Sequence, residues 1–422
     1  MSKYTREDII RIVDEEDVAF IRLQFCDLFG VPKNIAIPSS GLEKALDNKY
    51  AFDGISVEGF VRNEESDMYL YPDLDSFEIY PWRPQAGKVA RMFCNVYTAD
   101  NKPFSGDPRN VLKQIVEKAK KMGLSFKANP QPEFFLFDYD DNGQPTTITK
   151  ERAGYFDVAP LDQGENVRRE IILNLEEMGF DISSSHHEIA AAQHEIQFSG
   201  EEPVRAADMI MTFRMAVKTI AKKHGLYATF MPKPVEGISG SGMHMSFPCT
   251  DENGTNHFTC DDGQLSETAR QFVAGVLYHV KGMTLITNPI VNSYKRLVPG
   301  YDAPVYISWS SNSANRSALI RISKDLDLNP QIEVRNPDAT CNPYLAIALL
   351  LAAGLDGIEK KMTPPEAVST RDDYIGKDLD VLPHTLGEAI YAYQTDSFAK
   401  GVLGEGVYNK ILEAKNSEWK EF

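Results

Sequence analysis

The chain has 422 residues, 42% hydrophobic and 25% charged, a balance that suits a globular protein of two or three domains with a sizeable core. Acidic side chains outnumber basic ones 61 to 44, a formal charge of −17, which argues against nucleic acid or an anionic membrane as the main partner, because both need clustered positive charge. The five cysteines, Cys26, Cys94, Cys249, Cys260 and Cys341, are widely spaced with no C-x-x-C pair, so a zinc ribbon or disulfide framework is not expected and a reducing compartment is.

The N-terminal stretch is charged and amphipathic, without the apolar run of a signal peptide. No segment reaches the roughly 18 apolar residues of a membrane span, and a cytoplasmic location is expected. Ile9, Ile10, Ile12 and Val13 form one apolar stripe behind Thr5, which predicts a helix capped by Thr5 with Asp8 three residues on. Residues 20–38 hold two apolar runs split by Gly-Val-Pro and read as a hairpin. Further strand-like pieces reach Tyr97, and turn chemistry at 99–103 marks a boundary. A small, mostly β domain over 1–100 and a larger domain over 104–422 follow. In the second, Asp107-Pro108-Arg109 opens a helix with Asp at the cap and Pro at the first helical position. Residues 132–137 read as a strand and 165–178 as an amphipathic helix. Long helices are predicted over 205–224 and 264–287, and a buried one over 343–360. Strands and helices do not alternate regularly, so the class is α+β.

Five constellations could carry chemistry. On the strand near 129–137, Gln131 and Glu133 are two apart and share a face; an exposed strand start is the plain alternative. His186-His187-Glu188 and His194-Glu195 bracket a small-residue stretch. The spacing is not that of a zinc protease, and carboxylates with few thiols suit a hard cation such as Mg²⁺ or Mn²⁺; a solvated loop is the alternative. Gly237 to His244 alternates glycine with small residues, which lets backbone approach a ligand, a weak signal alone. Arg296, Arg316, Arg321 and Arg335 lie among apolar or small residues, where guanidinium forks bind carboxylate or phosphate; surface ion pairs are the alternative. Glu333 and Arg335 are two apart on one strand. Carboxylates holding divalent ions, with arginines around a transferred phosphoryl group, make a site that works by positioning and electrostatics.

Several strings carry a resemblance to the type I glutamine synthetase family, in the branch without adenylylation. They include Phe52-Asp53-Gly54, Glu58-Gly59-Phe60-Val61-Arg62, Gly106-Asp107-Pro108-Arg109, Glu133-Phe134-Phe135, His186-His187-Glu188, Gln193-His194-Glu195 and Met231-Pro232-Lys233-Pro234. Gly240-Ser241-Gly242-Met243-His244, the run from Asn292 to Tyr301, and Asn342-Pro343-Tyr344-Leu345 continue the family order. The resemblance implies a small N-terminal β-grasp-like domain and a larger catalytic domain. It implies a homo-oligomer of hexameric rings, possibly a dodecamer, with active sites between neighbouring subunits. It implies ATP and Mg²⁺ or Mn²⁺, and glutamine made from glutamate and ammonia through γ-glutamyl phosphate. One metal would map to Glu133, Glu188 and Glu195, the other to His244, Glu333 and position 131. Asp53 of an adjacent subunit would draw a proton from ammonium. Arg296 and Arg335 would hold glutamate and phosphate, with Gly240 and position 239 at the glutamate. Arg316 and Arg321 would meet phosphate, and Ser246 and Gln331 stand at nucleotide-lining positions. Arg62 matches a position that senses product glutamine.

The departures cluster at these ligands. Gln131, Asp302 and Gln331 replace Glu, Glu and Arg, while Ser239 replaces Asn and Ile55 replaces Ser. Ser246 and Pro248 replace a polar pair. Gln131 removes a full charge from a divalent shell. The chain ends at Phe422, short of the family's usual ring-joining extension. Three functions stay open from sequence: a ligase forming glutamine, a ligase joining glutamate to another amine, and a binding or regulatory relative with weakened catalysis.

Overall fold

The structure, a computed structural model, describes residues 3–60, 67–251, 253–260, 264–311, 315–324, 330–368, 370 and 379–422. It opens with a helix, Arg6–Glu15, whose Thr5 cap and Asp8 form the expected reciprocal capping box. The strands β1 (Val18–Cys26) and β2 (Pro32–Pro38) pair antiparallel as the expected hairpin. The strands β3 (Tyr50–Asp53), β4 (Asp67–Pro72), β5 (Glu78–Ile79) and β6 (Lys88–Thr98) complete a sheet of order β2-β1-β6-β4-β3, with β5 on β6. β6 pairs parallel with β1.

Alternation along β6 explains how this sheet serves two cores. Ala90, Met92, Cys94 and Val96 face the sheet's own apolar cluster, whereas Val89 and Phe93 join the large core of the rest of the chain. The N-terminal unit is therefore bonded to the larger body along one face. Arg109, on the helix Pro108–Lys121, adds a polar clamp there. It grips Asp208 with two bonds (3.0 and 2.8 Å), Asp73 at 2.7 Å and Asn95 at 2.6 Å. Tyr344 Oη donates to the same Asp208 at 2.6 Å. Asn342 Nδ2 reaches the carbonyls of Asp27 and Leu28. The motifs around Arg109 and Asn342 thus join the N-terminal sheet to the larger body.

The larger body is an eight-stranded sheet. Its strands are β8 (Asn129–Asp138), β9 (Ile182–His187), β10 (Gln193–Phe198), β11 (Leu226–Thr229), β12 (Met243–Phe247), β14 (Trp309–Ser310), β15 (Ile320–Lys324) and β16 (Pro330–Val334). The short strands β7 (Ser125–Phe126) and β13 (Cys249–Thr250) pair beside it. The order is β14-β15-β16-β12-β8-β10-β9, with β11 on β8. The apolar face packs with the helices Pro203–Lys223, Glu267–Thr287 and Pro343–Glu359 in one core. These helices and Glu165–Glu177 fall where the hydrophobic periodicity placed them, within a few residues. Among the described residues no helix is long and apolar enough to cross a membrane.

Helices Glu267–Thr287 and Pro343–Glu359 cross with their backbones nearly touching. A Cβ on Gly275 would meet the Ala353 oxygen at 2.1 Å, and one on Gly357 the Gln271 oxygen at 2.1 Å. Backbone on both sides cannot yield as a side chain can. Gly357→Ala is expected to cost about 1–3 kcal/mol or more, seen as a lower urea midpoint.

Candidate active site

Cross-strand register assembles the site. Gln131 on β8 lies opposite His244 on β12, and Glu133 opposite Glu195 on β10. Glu195 in turn faces His186 on β9. Ser246 lies opposite Glu333 on β16, and Glu333 opposite Arg321 on β15. Directly opposed residues share a face, so strands far apart in sequence present one polar face. Behind it Phe134, Leu136 and Ile196 enter the core.

One cavity on this face is lined by Gln131, Glu133, Glu188, Glu195, Ser239, Gly240, His244, Arg296, Asp302, Arg316, Arg321 and Arg335. Twelve of the sequence candidates therefore converge. Glu333 is 1% exposed and sits beneath this lining. Its two oxygens accept from Arg321 Nε (2.5 Å) and Arg335 Nη1 (2.8 Å). Ser246 is buried on β12, and Gln331 accepts from Asn129 Nδ2 at 3.2 Å; neither lines the cavity. Asp53 lies exposed on the edge strand β3, bonded to Ile55 N and Ser56 Oγ, and is also absent from the lining. Arg62 lies outside the described residues.

The carboxylates crowd. An oxygen each from Glu188 and Glu195 and a ring nitrogen of His186 fall within 4.8 Å of one another. Glu133 Oε2 accepts from Gly242 N (2.8 Å) and Gln193 Nε2 (3.1 Å). Burial, then the charges of Glu188 and Glu195, push the Glu133 carboxyl up to about 8. Burial and Glu195 push Glu188 up to about 7. Such a cluster binds either protons or a cation. Oxygen ligands at this density, with no thiol, fit a hard divalent ion. His244 is held well below its usual value by burial and by Arg335, Arg296, Arg321 and Arg316. It is therefore a neutral imidazole, the form that ligates a metal.

The arginines are built in. Arg335 is 3% exposed and bonds the carbonyls of Arg316 (3.1 Å) and Asp302 (3.2 Å) besides Glu333. Arg296 donates to the carbonyls of Arg335 (3.0 Å) and Asn336 (2.8 Å). Arg316 lies 5.7 Å from the Tyr155 ring centre. A Cβ on Gly240 would meet the Pro232 oxygen at 2.2 Å and one on Gly242 the Arg296 Nη2 at 2.5 Å. These glycines therefore serve close approach, as expected of the segment.

Sequence reasoning named His186 without giving it a role, and left out Tyr155 and Glu151. The two-residue spacing of His186 to Glu188 signals a shared face, and His186 contacts Glu188 (3.5 Å) and Glu195 (3.4 Å). Its neighbours His187 and His194 point the other way, into a buried network with Glu151, Asp162 and Arg168. Burial alone would raise the Glu151 carboxyl, but His187, His194 and the Ala192 N–H bring it down to about 2.

Residues 17–99 match the family model for the glutamine synthetase beta-Grasp domain, and 105–422 that for the glutamine synthetase catalytic domain. The chain is 51% identical over 430 residues to a glutamine synthetase of Clostridium saccharobutylicum, covering 100% of this chain and 96% of that one. It is 50% identical over 425 residues to a glutamine synthetase of Staphylococcus epidermidis, covering 99% and 95%. A GmaS chain solved as an ADP complex superposes with a TM-score of 0.88 at 30% identity, over 98% of this chain and 96% of that one. The Plasmodium falciparum glutamine synthetase shares the fold with a TM-score of 0.88 at 22% identity, over 100% and 97%. With both family models and full-length relatives at half identity, the chain belongs to the glutamine synthetase family.

Proposed function

We infer that this chain is an ATP-dependent ligase that joins ammonia to the γ-carboxylate of glutamate and releases glutamine. The observation that carries this reading is the convergence of four carboxylates, two histidines and four guanidinium groups on one cavity. Half identity to relatives named glutamine synthetase favours ammonia as the acceptor. Glu133, Glu188 and Glu195 would hold one divalent ion, and His244, Glu333 and Gln131 a second. When bound, these ions neutralise phosphate oxygens while ATP supplies the phosphoryl group.

The chain's own residues then orient and screen. Arg296 and Arg335 hold glutamate and phosphate, and Gly240 and Ser239 hold glutamate. Arg316 and Arg321 stabilise charge on the transferred group, with Ser246 and Gln331 nearer the nucleotide. Asp302 lines the cavity on a loop tied down by Arg335. Asp53, exposed on an edge strand and outside this lining, fits a residue delivered by a neighbouring subunit of a ring, where it takes a proton from ammonium.

Assembled protein supplied with ATP, Mg²⁺ and glutamate is expected to release ADP only when ammonia is added. No turnover above background would overturn the reading, and faster turnover with methylamine than with ammonia would reassign the acceptor. At the second ion, Gln131 offers one neutral oxygen. Gln131→Glu is expected to tighten divalent binding by on the order of tenfold by calorimetry; an unchanged isotherm would place position 131 away from the ion.

A further inference from the structure

Glu151 belongs to the loop between β8 and the helix Glu165–Glu177, outside the motifs that line the cavity. It sits 6% exposed on the side of the β9–β10 pair that carries His187 and His194, away from the cavity. Its two oxygens join three segments. Oε1 accepts from His187 Nε2 and from the Ala192 N–H at 2.8 Å. Oε2 accepts from the Gln163 N–H at 2.9 Å. His187 Nδ1 reaches on to the Glu188 carbonyl at 2.6 Å.

His187 and Ala192 are the two ends of the turn that bears Glu188 and leads into Gln193 and Glu195. Ala192 has φ +63°, a left-handed conformation that is strained for a non-glycine residue and persists only where surroundings impose it. The bond from Ala192 N to Glu151 is one such constraint. The next residue, Gln193, donates to Glu133 at 3.1 Å. One buried carboxylate therefore grips the strand end before Glu188 and the turn residue before Gln193.

Glu151, His187 and His194 offer ligand atoms within 4.8 Å of one another, the spacing of a metal site. Arg168 argues against an ion there. It donates to His194 Nδ1 at 2.9 Å and is itself paired with Asp162 at 2.7 Å, so a fixed cation already occupies the neighbourhood. The group is a brace.

We propose that Glu151 is a positioning residue of the metal site, holding the turn over residues 188–192 so that Glu188 and Glu195 face one ion. This rests on the reading of Glu133, Glu188 and Glu195 as metal ligands. Removing partners that orient metal ligands costs on the order of 10–100-fold in affinity. Glu151→Gln keeps the size of the side chain but cannot accept all three N–H bonds, because one of its two carboxylate oxygens becomes an NH₂.

The test is calorimetric titration of Mn²⁺ into full-length native protein, Glu151→Gln and Glu195→Gln. Glu151→Gln is expected to weaken Mn²⁺ binding about 10–100-fold, with kcat recovered when Mn²⁺ is raised to saturation. A purely structural defect would lower kcat at every Mn²⁺ concentration and leave the affinity of the folded fraction unchanged; that outcome overturns the proposal. Weaker binding in Glu195→Gln but native affinity in Glu151→Gln also overturns it, while leaving the metal ligands in place. Native affinity in both variants would sink the metal-site reading itself. Should Glu151→Gln not fold, Glu151→Asp keeps the charge and shortens the reach by one methylene; native Mn²⁺ affinity in that variant overturns the proposal.

Discussion

Arg335→Ala is expected to lower kcat by on the order of 10³-fold or more, the scale seen when a guanidinium is withdrawn from a phosphoryl-transfer site. The side chain does three things at once. It supplies charge to the cavity, it pairs with Glu333 at 2.8 Å, and it ties together the backbones of Arg316 and Asp302. Alanine frees the loop that carries Asp302, releases the segment bearing Arg316 and leaves Glu333 bonded to Arg321. Arg335→Lys is expected to recover little, because a single ammonium cannot reproduce the planar fork that spans three acceptors. Steady-state kinetics at saturating glutamate, ammonia, ATP and Mg²⁺ make the comparison. A loss of less than about tenfold would mean that these contacts are structural and that the charge of Arg335 is not felt in the rate-limiting step.

The second large effect concerns stability. Arg109→Ala is expected to destabilise the protein by about 3–5 kcal/mol, because it strands the buried Asp208 carboxylate. Asp208 is 5% exposed and takes two of its bonds from Arg109. Tyr344 Oη still donates to it, but a hydroxyl does not balance the charge. The bonds from Arg109 to Asp73 and Asn95 are lost as well, so the N-terminal sheet loses a clamp on the larger body. Urea unfolding followed by tryptophan fluorescence and by circular dichroism is the measurement. A native midpoint by both probes would contradict the account. An early fluorescence transition, ahead of the circular dichroism, would locate the damage at the join, where Trp82 packs in the main core.

Much of this was legible in the sequence. The helices announced themselves through caps and periodicity: Thr5 with Asp8, Asp107 with Pro108, and Asn342 before Pro343 all cap as residue chemistry dictates. The two-residue period placed Gln131 with Glu133, which hold on β8, and Glu333 with Arg335, which bond although Arg335 lies one residue past the end of β16. Periodicity also divides what looked like units. The two His-Glu pairs do not act as pairs, because alternation sends Glu195 to the cavity and its neighbour His194 to the core. Glu188 instead works with His186, two residues away.

What could not be read is set by long-range register. Glu333 meets Arg321 across β15 and β16, and Gln131 meets His244 across strands more than a hundred residues apart. No local pattern encodes those distances. Glu151 left even less trace, since a carboxylate in an irregular loop reads as solvated until the fold closes around it. The same holds for Asp208 in the helix Pro203–Lys223, whose partners Arg109 and Tyr344 come from two other helices. The joining role of the Arg109 and Asn342 motifs was likewise hidden, because both strings read locally as helix starts.

The proposed chemistry depends most on Glu133, Glu188 and Glu195 sharing one divalent ion. Crystals grown with Mn²⁺ and ADP, measured at the manganese edge, test this directly. An anomalous peak bounded by those three carboxylates, displacing Glu133 from its bond to Gly242, is the expected result. A peak elsewhere, or none at this cluster with ADP bound, would contradict it.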